Sequence, residues 1–228
     1  MYLVQKMLNK LFSEDYTFFL DSKDLKEVTN HLKKNTYSIY KPYPDSEKNI
    51  IFINEEPDII LLEIKTNSPL RHQDILGTLY SLRIDDSLFG DIIITNNHYY
   101  FYTFRYMQTF FEMELTKIKN TNVELIEQDI NLLKDYHLDY EEITLITSSL
   151  RCDLVLSKLA QTNRDNIKEM IKDKKIYLNY ELLKDNYKLL HENDVFYIRK
   201  IGKFKFNSIS NQTKKGNLVI KILKYKPN

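Results

Sequence analysis

LRCDLVLSKLAQTNRDNIKEMIKDKKIYLN, residues 150–179, decides the fold of the C-terminal third. Leu154, Leu156 and Leu159 fall on one side of a short helix, QTN makes a turn, and Ile167, Met170 and Ile171 give a second helix its inward face. Asn163 stands at the N-cap position of that second helix, where its side chain can satisfy an orphan N–H group. KIYLN, YELL and VFYIRKI then read as strands, with the polar stretch KDNYKLLHEND between the last two and Asn193-Asp194 at its turn. A helical hairpin packed on a small twisted sheet is the expected result.

Moving outward, the charge of the chain changes sign at this stretch. The net +1 of the 228 residues hides 15 Lys/Arg against 24 Asp/Glu in residues 1–150, a net of −9, and 18 against 8 in residues 151–228, a net of +10. Such asymmetry predicts a polyanion partner, RNA above all, for the C-terminal part. The candidate contacts are Arg151, Asn163, Arg164, Lys168, Lys172, Lys174 and Lys175 from the helices, and Arg199, Lys200, Lys203, Lys205, Lys214 and Lys215 from the strands and tail. They are expected to converge on one face. Arg164 and Arg199 lead, because a guanidinium can bridge two phosphate oxygens, and Arg164 also flanks a helix start.

Asp153 reads either as the partner that aims a nearby arginine or as a plain helix-start acid. Asn179 and Asp194 shape turns, with RNA contact a second role for Asn179. The chain has four glycines, Gly77, Gly90, Gly202 and Gly216, so each is expected where the backbone needs one. Gly77 reads as a close-packing site; Gly202 and Gly216 serve either phosphate approach or ordinary turns.

Upstream, residues 57–128 spell β-α-β-β-α-β: DIILLEIKT, HQDILGTLYSL, GDIIIT, YYFYTF, MQTFFEMELTKI and VELIEQ, a ferredoxin-like order. The third strand, with Tyr99, Tyr100, Phe101, Tyr102 and Phe104, is either core or a base-stacking platform. Residues 1–56 form a small α+β unit: helices over 2–12 and 22–34, the latter capped by Asp21 or Ser22, then a hairpin of SIYKPY and NIIFIN. Residues 129–148 connect, with a helical piece at INLLKDY and a strand-like EEITLITSS, and residues 149–228 complete the α+β chain as an RNA-binding module with a basic tail.

No apolar run approaches the roughly 18 residues of a membrane span, and the N-terminus shows no export signal. With a lone cysteine, Cys152, read as a core residue, a cytoplasmic monomer is expected. His72 and Asp74 point apart on a helix, and no Walker loop, dinucleotide fingerprint or zinc spacing occurs, so no catalytic residue, metal or cofactor is expected.

LRCD, the Asn163-Arg164 turn, IKDKKIYLN and NDVFYIR resemble the S4-type RNA-binding module. Cys152 stands for that family's leucine, Asn163 for its serine cap, and Lys174 and Asn193 for its glycines. Lys174 should then hold a strained, left-handed backbone. FLDSKD, the hairpin over 41–53, RHQDILGTL, FGDIII, RKIGKF and TKKG are similar, in order, to motifs of the YlmH family of bacterial S4-type proteins. That resemblance implies association with large ribosomal subunits carrying peptidyl-tRNA in ribosome-associated quality control. Ribosomal RNA, tRNA and an alanine-tailing factor would be the partners. Two other readings compete: an RNA-modifying enzyme with an appended S4-type module, and a protein-interaction adaptor anchored by RNA.

Overall fold

The computed structural model describes residues 2–179 and 181–226. The contacts within it divide the chain into two units, one ending at His137 and one beginning at Leu138. The sequence reading separates residues 1–56 from the sheet that follows, but the segment 17–20 joins both: the N–H of Phe19 donates to Ser87 O at 3.0 Å, while those of Thr17 and Leu20 donate to Ile51 O and Asn49 O within the hairpin at 2.8 and 2.7 Å. An extended segment that would otherwise leave polar backbone unpaired is satisfied by running alongside both parts.

The first unit begins with α1 (Tyr2–Glu14) and α2 (Ser22–Thr29). Asp21 caps α2, its carboxylate accepting the Asp24 N–H at 2.8 Å. α2 ends at Thr29, not near residue 34, because the backbone after it passes through turns to Asn35 at φ 66°. β1 (Ser38–Tyr40) and β2 (Ile50–Phe52) form the expected hairpin. There follow β3 (Ile59–Lys65), α3 (His72–Ser81), β4 (Phe89–Thr95), β5 (His98–Phe104), α4 (Gln108–Glu114), the short β6 (Lys117–Ile118) and β7 (Thr121–Asn122), and β8 (Glu124–Gln128). The sheet order β4-β5-β3-β8, antiparallel throughout, is the split β-α-β-β-α-β arrangement. α4 is shorter than its apolar pattern suggests because β6 and β7 pair tightly, with Lys119 at φ 54° between them.

One face of this sheet, through Ile60, Leu62, Ile64, Tyr99 and Phe101, packs on Ile75, Leu79 and Phe111 of the helices. The other is closed by the N-terminal segment: Phe104 lies between Tyr16 and Phe19, at ring-centroid distances of 5.7 and 5.2 Å, and Tyr43 stacks on Tyr102 at 6.3 Å. Asp91 fastens the loop that carries Tyr43, accepting from its hydroxyl at 2.8 Å and from the Glu47 N–H at 2.7 Å. The aromatic strand β5 is therefore core on both sides; Tyr102 is wholly buried.

In the second unit β9 (Tyr140–Thr147) precedes α5 (Cys152–Leu159) and α6 (Arg164–Lys172), followed by β10 (Ile176–Leu178), β11 (Glu181–Leu182), β12 (Val195–Ile198), β13 (Gly202–Gln212) and β14 (Leu218–Tyr225). Tyr180, the first residue of the YELL strand, lies outside the described residues. Among the described residues the sheet has six strands, ordered β11-β10-β12-β13-β14-β9, every pair antiparallel. Two departures from the sequence reading stand out. Residues 140–147, placed in the connector, pair along their whole length with β14, and INLLKDY forms turns in place of a helix. The long β13–β14 hairpin occupies what reads as turns and a tail.

Val155, Leu156, Ile167 and Ile171 of the helices bury against Phe196, Ile198, Phe204, Phe206, Ile220 and Ile222. The inward stripe of α5 runs through Cys152, Val155 and Leu156, so Leu154 is only half-buried. Burial pushes the Cys152 thiol up to about 12, which leaves it a core residue without thiolate character.

Among the described residues no helix is long and apolar enough to cross a membrane. The close-packing site expected at Gly77 lies at Gly90. A Cβ at Gly77 would meet nothing within 4 Å, whereas at Gly90 it would come to 3.0 Å from Phe19 Cε1 and 3.2 Å from Tyr102 Cβ. Gly77→Ala is expected to raise unfolding stability by about 0.5–1 kcal/mol as a helix-interior gain. Gly90→Ala should lower it by about 1–3 kcal/mol through overpacking; urea unfolding of the two variants checks both signs.

Candidate nucleic-acid interface

Asp153 opens α5 with its side chain fully buried, and two arginines converge on it. Arg151 donates from Nε to Oδ1 at 3.1 Å and from Nη2 to Oδ2 at 2.8 Å. Arg164, the first residue of α6, donates from Nε at 3.0 Å and Nη2 at 2.5 Å, both to Oδ2. Burial alone would raise the carboxyl; hydrogen bonds from the two guanidiniums outweigh it and hold Asp153 below the usual carboxylate range. Of its two readings, Asp153 is therefore the arginine partner.

Each guanidinium spends Nε and Nη2 on the carboxylate, and Arg151 also hydrogen-bonds the Tyr187 side chain. Their side chains are about a third and a half exposed, at 31% and 45%. Arg151 also stacks on the Tyr187 ring, 4.2 Å from its centroid. Tyr187 is exposed, and it raises the pKa of Lys168 as a lesser contribution behind the Asp165 carboxylate. Nothing in the sequence marks Tyr187 beyond its place in the polar stretch after β11.

Asn163 caps α6 as expected, its Oδ1 accepting the Asn166 N–H at 2.8 Å. The backbone N–H groups of Cys152 and Asp153 donate to Lys188 O and Asn186 O at 2.8 and 3.1 Å, holding residues 186–188 beside the start of α5. Arg151, Arg164, Lys168 and Tyr187 thus form one local group.

The remaining basic residues do not all converge. Lys172, Lys174 and Lys175 leave α6 toward β10 beside Arg199 and Lys200, whose turn is tied in by the Arg199 N–H to Lys175 O at 2.9 Å. Lys174 is left-handed at φ 57°, as a residue in place of glycine must be there, and Lys200 is so at φ 69°. Lys203 and Lys205 lie on β13, facing away from the buried Phe204 and Phe206, while Lys214 and Lys215 occupy the tip of the β13–β14 hairpin. Alternation along an antiparallel strand and the length of that hairpin separate these groups.

Asn179 and Asp194 act as a turn clamp. Asn179 Nδ2 donates to Asp194 Oδ1 at 2.7 Å, and its Oδ1 accepts the Val195 N–H at 2.9 Å. Gly202 and Gly216 have φ of 144° and 77°, so backbone geometry alone accounts for them. Asp74 closes a capping box with Arg71 and takes Lys119 Nζ at 2.7 Å.

A split β-α-β-β-α-β sheet followed by a basic helix-pair-on-sheet unit defines a two-unit α+β protein. Residues 54–132 match the family model described as "Putative RNA-binding domain in YlmH". A solved structure titled "Cell division protein ylmH from Streptococcus pneumoniae" is 18% identical, with a TM-score of 0.48, covering 58% of this chain and 90% of that one. Comparison with curated proteins gives no match. The matched segment is the acidic, ferredoxin-like sheet, whereas charge had pointed only to the C-terminal unit.

Asp153→Asn should cost about 2–4 kcal/mol at pH 7, somewhat less than for fully buried pairs because both guanidiniums keep a solvent edge. A carboxyl whose folded pKa lies below its unfolded value stabilises the fold above the unfolded value, about 3.9, and loses that contribution as pH falls through the folded one. The gap in urea midpoint between wild type and Asp153→Asn is therefore expected to be full at pH 6–7 and to shrink below about pH 4.

Proposed function

We propose that this protein is a non-catalytic RNA-binding protein whose C-terminal unit is an S4-type module that docks on folded RNA. In this reading it associates with the large ribosomal subunit and peptidyl-tRNA and supports C-terminal alanine tailing of stalled chains. The observation that carries the RNA-docking step is the pair Arg151 and Arg164, locked on one buried carboxylate at the start of two helices, each guanidinium still partly exposed. Two guanidiniums fixed in direction lose little further side-chain freedom on meeting phosphates, and Asn163 presents the α6 start beside them. The ribosomal and quality-control steps rest on the family resemblance.

Binding of this kind neutralises phosphates and follows the shape of an A-form helix, with base identity secondary. The matched 54–132 domain supports RNA as the partner class. In the proposed arrangement that domain uses surface other than β5, whose rings are already packed.

The test is cosedimentation with purified large ribosomal subunits, with and without peptidyl-tRNA, across a salt series. Arg164→Ala with Arg199→Ala is expected to weaken binding at least tenfold and to flatten the dependence of log K on log salt by about two. Wild type should prefer the tRNA-bearing particle. Equal binding by the double variant would sink the docking face, and absence of binding to either particle would sink the ribosomal reading.

A further inference from the structure

We propose that the open face of the C-terminal sheet is a second RNA surface, one that takes unpaired nucleotides by stacking. Five adjacent strands each contribute one residue to a single row across it. Tyr177 of β10 pairs with Tyr197 of β12, Tyr197 with Lys203 of β13, and Tyr225 of β14 with Tyr140 of β9. The Lys203 ammonium lies 5.3 Å from the Tyr225 ring centroid and joins the two halves. Tyr177 and Tyr197 are 6.3 Å apart, Tyr140 and Tyr225 5.9 Å.

This row lies opposite the core. Its strand neighbours Ile176, Leu178, Phe196, Ile198, Phe204 and Ile222 are buried beneath α5 and α6, so both helices of the unit occupy the other side. Tyr197 and Tyr140 are exposed at 43% and 36%, and Tyr177, Lys203 and Tyr225 are half-buried. Four strand spacings of about 4.8 Å make the row about 19 Å long, room for the two or three splayed bases that a sheet of aromatic residues stacks.

Tyrosines paired across strands also stabilise a sheet, but the charge beside these favours a polyanion. Lys205 continues the same face on β13, and the ion pair of Lys221 with Glu142 beside it leaves Lys203 and Lys205 to set the sign of the face. The core of a protein–protein interface is depleted in lysine, whereas here a lysine sits in the middle of the row. Cations that follow a backbone and rings that receive bases are the components of a single-strand site. A duplex, with its bases stacked inside, would offer these rings nothing.

The face is distinct from the Arg151–Arg164 group, and the two can be separated. Binding of a labelled, unstructured eight-nucleotide RNA to the full chain is measured by anisotropy, with an RNA hairpin stem as competitor. Thermal unfolding verifies each variant. Tyr140→Leu with Tyr197→Leu is expected to weaken single-strand binding by about tenfold or more, while Tyr140→Phe with Tyr197→Phe stays within about twofold because stacking needs the ring and not the hydroxyl. Lys168→Ala with Tyr187→Ala, which leaves the Asp153 ion pairs in place, should reduce hairpin binding and spare the single strand. The proposal is overturned if the leucine pair binds as wild type does, if the phenylalanine pair fails as badly as the leucine pair, or if the stem competes as well as the single strand. Loss of self-association in the leucine pair with RNA binding intact would make the face a protein interface instead.

Discussion

Asp153 is a carboxylate whose side chain has no solvent-accessible surface, and the C-terminal unit is arranged around satisfying it. An isolated buried charge would cost several kcal/mol, so two guanidiniums must reach it. One comes from the residue before α5 and the other from the first residue of α6, so satisfying the charge fixes the angle at which the two helices meet. The backbone N–H groups beside it draw in residues 186–188, and with them Tyr187 under Arg151. A single electrostatic demand thereby sets the helical hairpin, the loop beside it and the direction of two surface arginines.

The same economy separates the faces of the unit. Helices above and strands below share one apolar core, which leaves the helix starts and the far side of the sheet as two chemically different surfaces. The first offers rigid guanidiniums with hydrogen-bond geometry; the second offers rings and flexible lysines. In the N-terminal unit the corresponding sheet face is not available, because residues 16–19 and 43 lie over it.

Where the sequence could be read, it was because a local rule governed the outcome. Asn163 and Asp21 announce their helices through capping, and the order of six elements over 57–128 follows from alternating periods. What was illegible depends on distant partners. The N-terminal segment reads as separate because nothing near Phe19 reveals that Phe104 awaits it. The β13–β14 hairpin hides because KFKFNSISNQ mixes core phenylalanines with polar residues, and its register shifts between Phe206 and Ser208 and again between Ile209 and Asn211. The tyrosine row is invisible for the same reason: its members are separated by up to 85 positions and meet only through strand register. The basic residues were legible as a set, but their division among a helix face, a sheet face and a hairpin tip was not.

The closure of β5 by the N-terminal segment also shapes how the chain comes into being. Tyr16 is synthesised some 88 residues before its stacking partner Phe104. At about 5–20 residues per second, the segment waits roughly 4–18 s for the strand it covers. During that interval Phe18, Phe19 and Leu20 have only α1, α2 and one hairpin to shelter them, and contacts of such long range form late. The apolar side chains of the nascent segment thus stay uncovered until the third strand of its sheet has emerged.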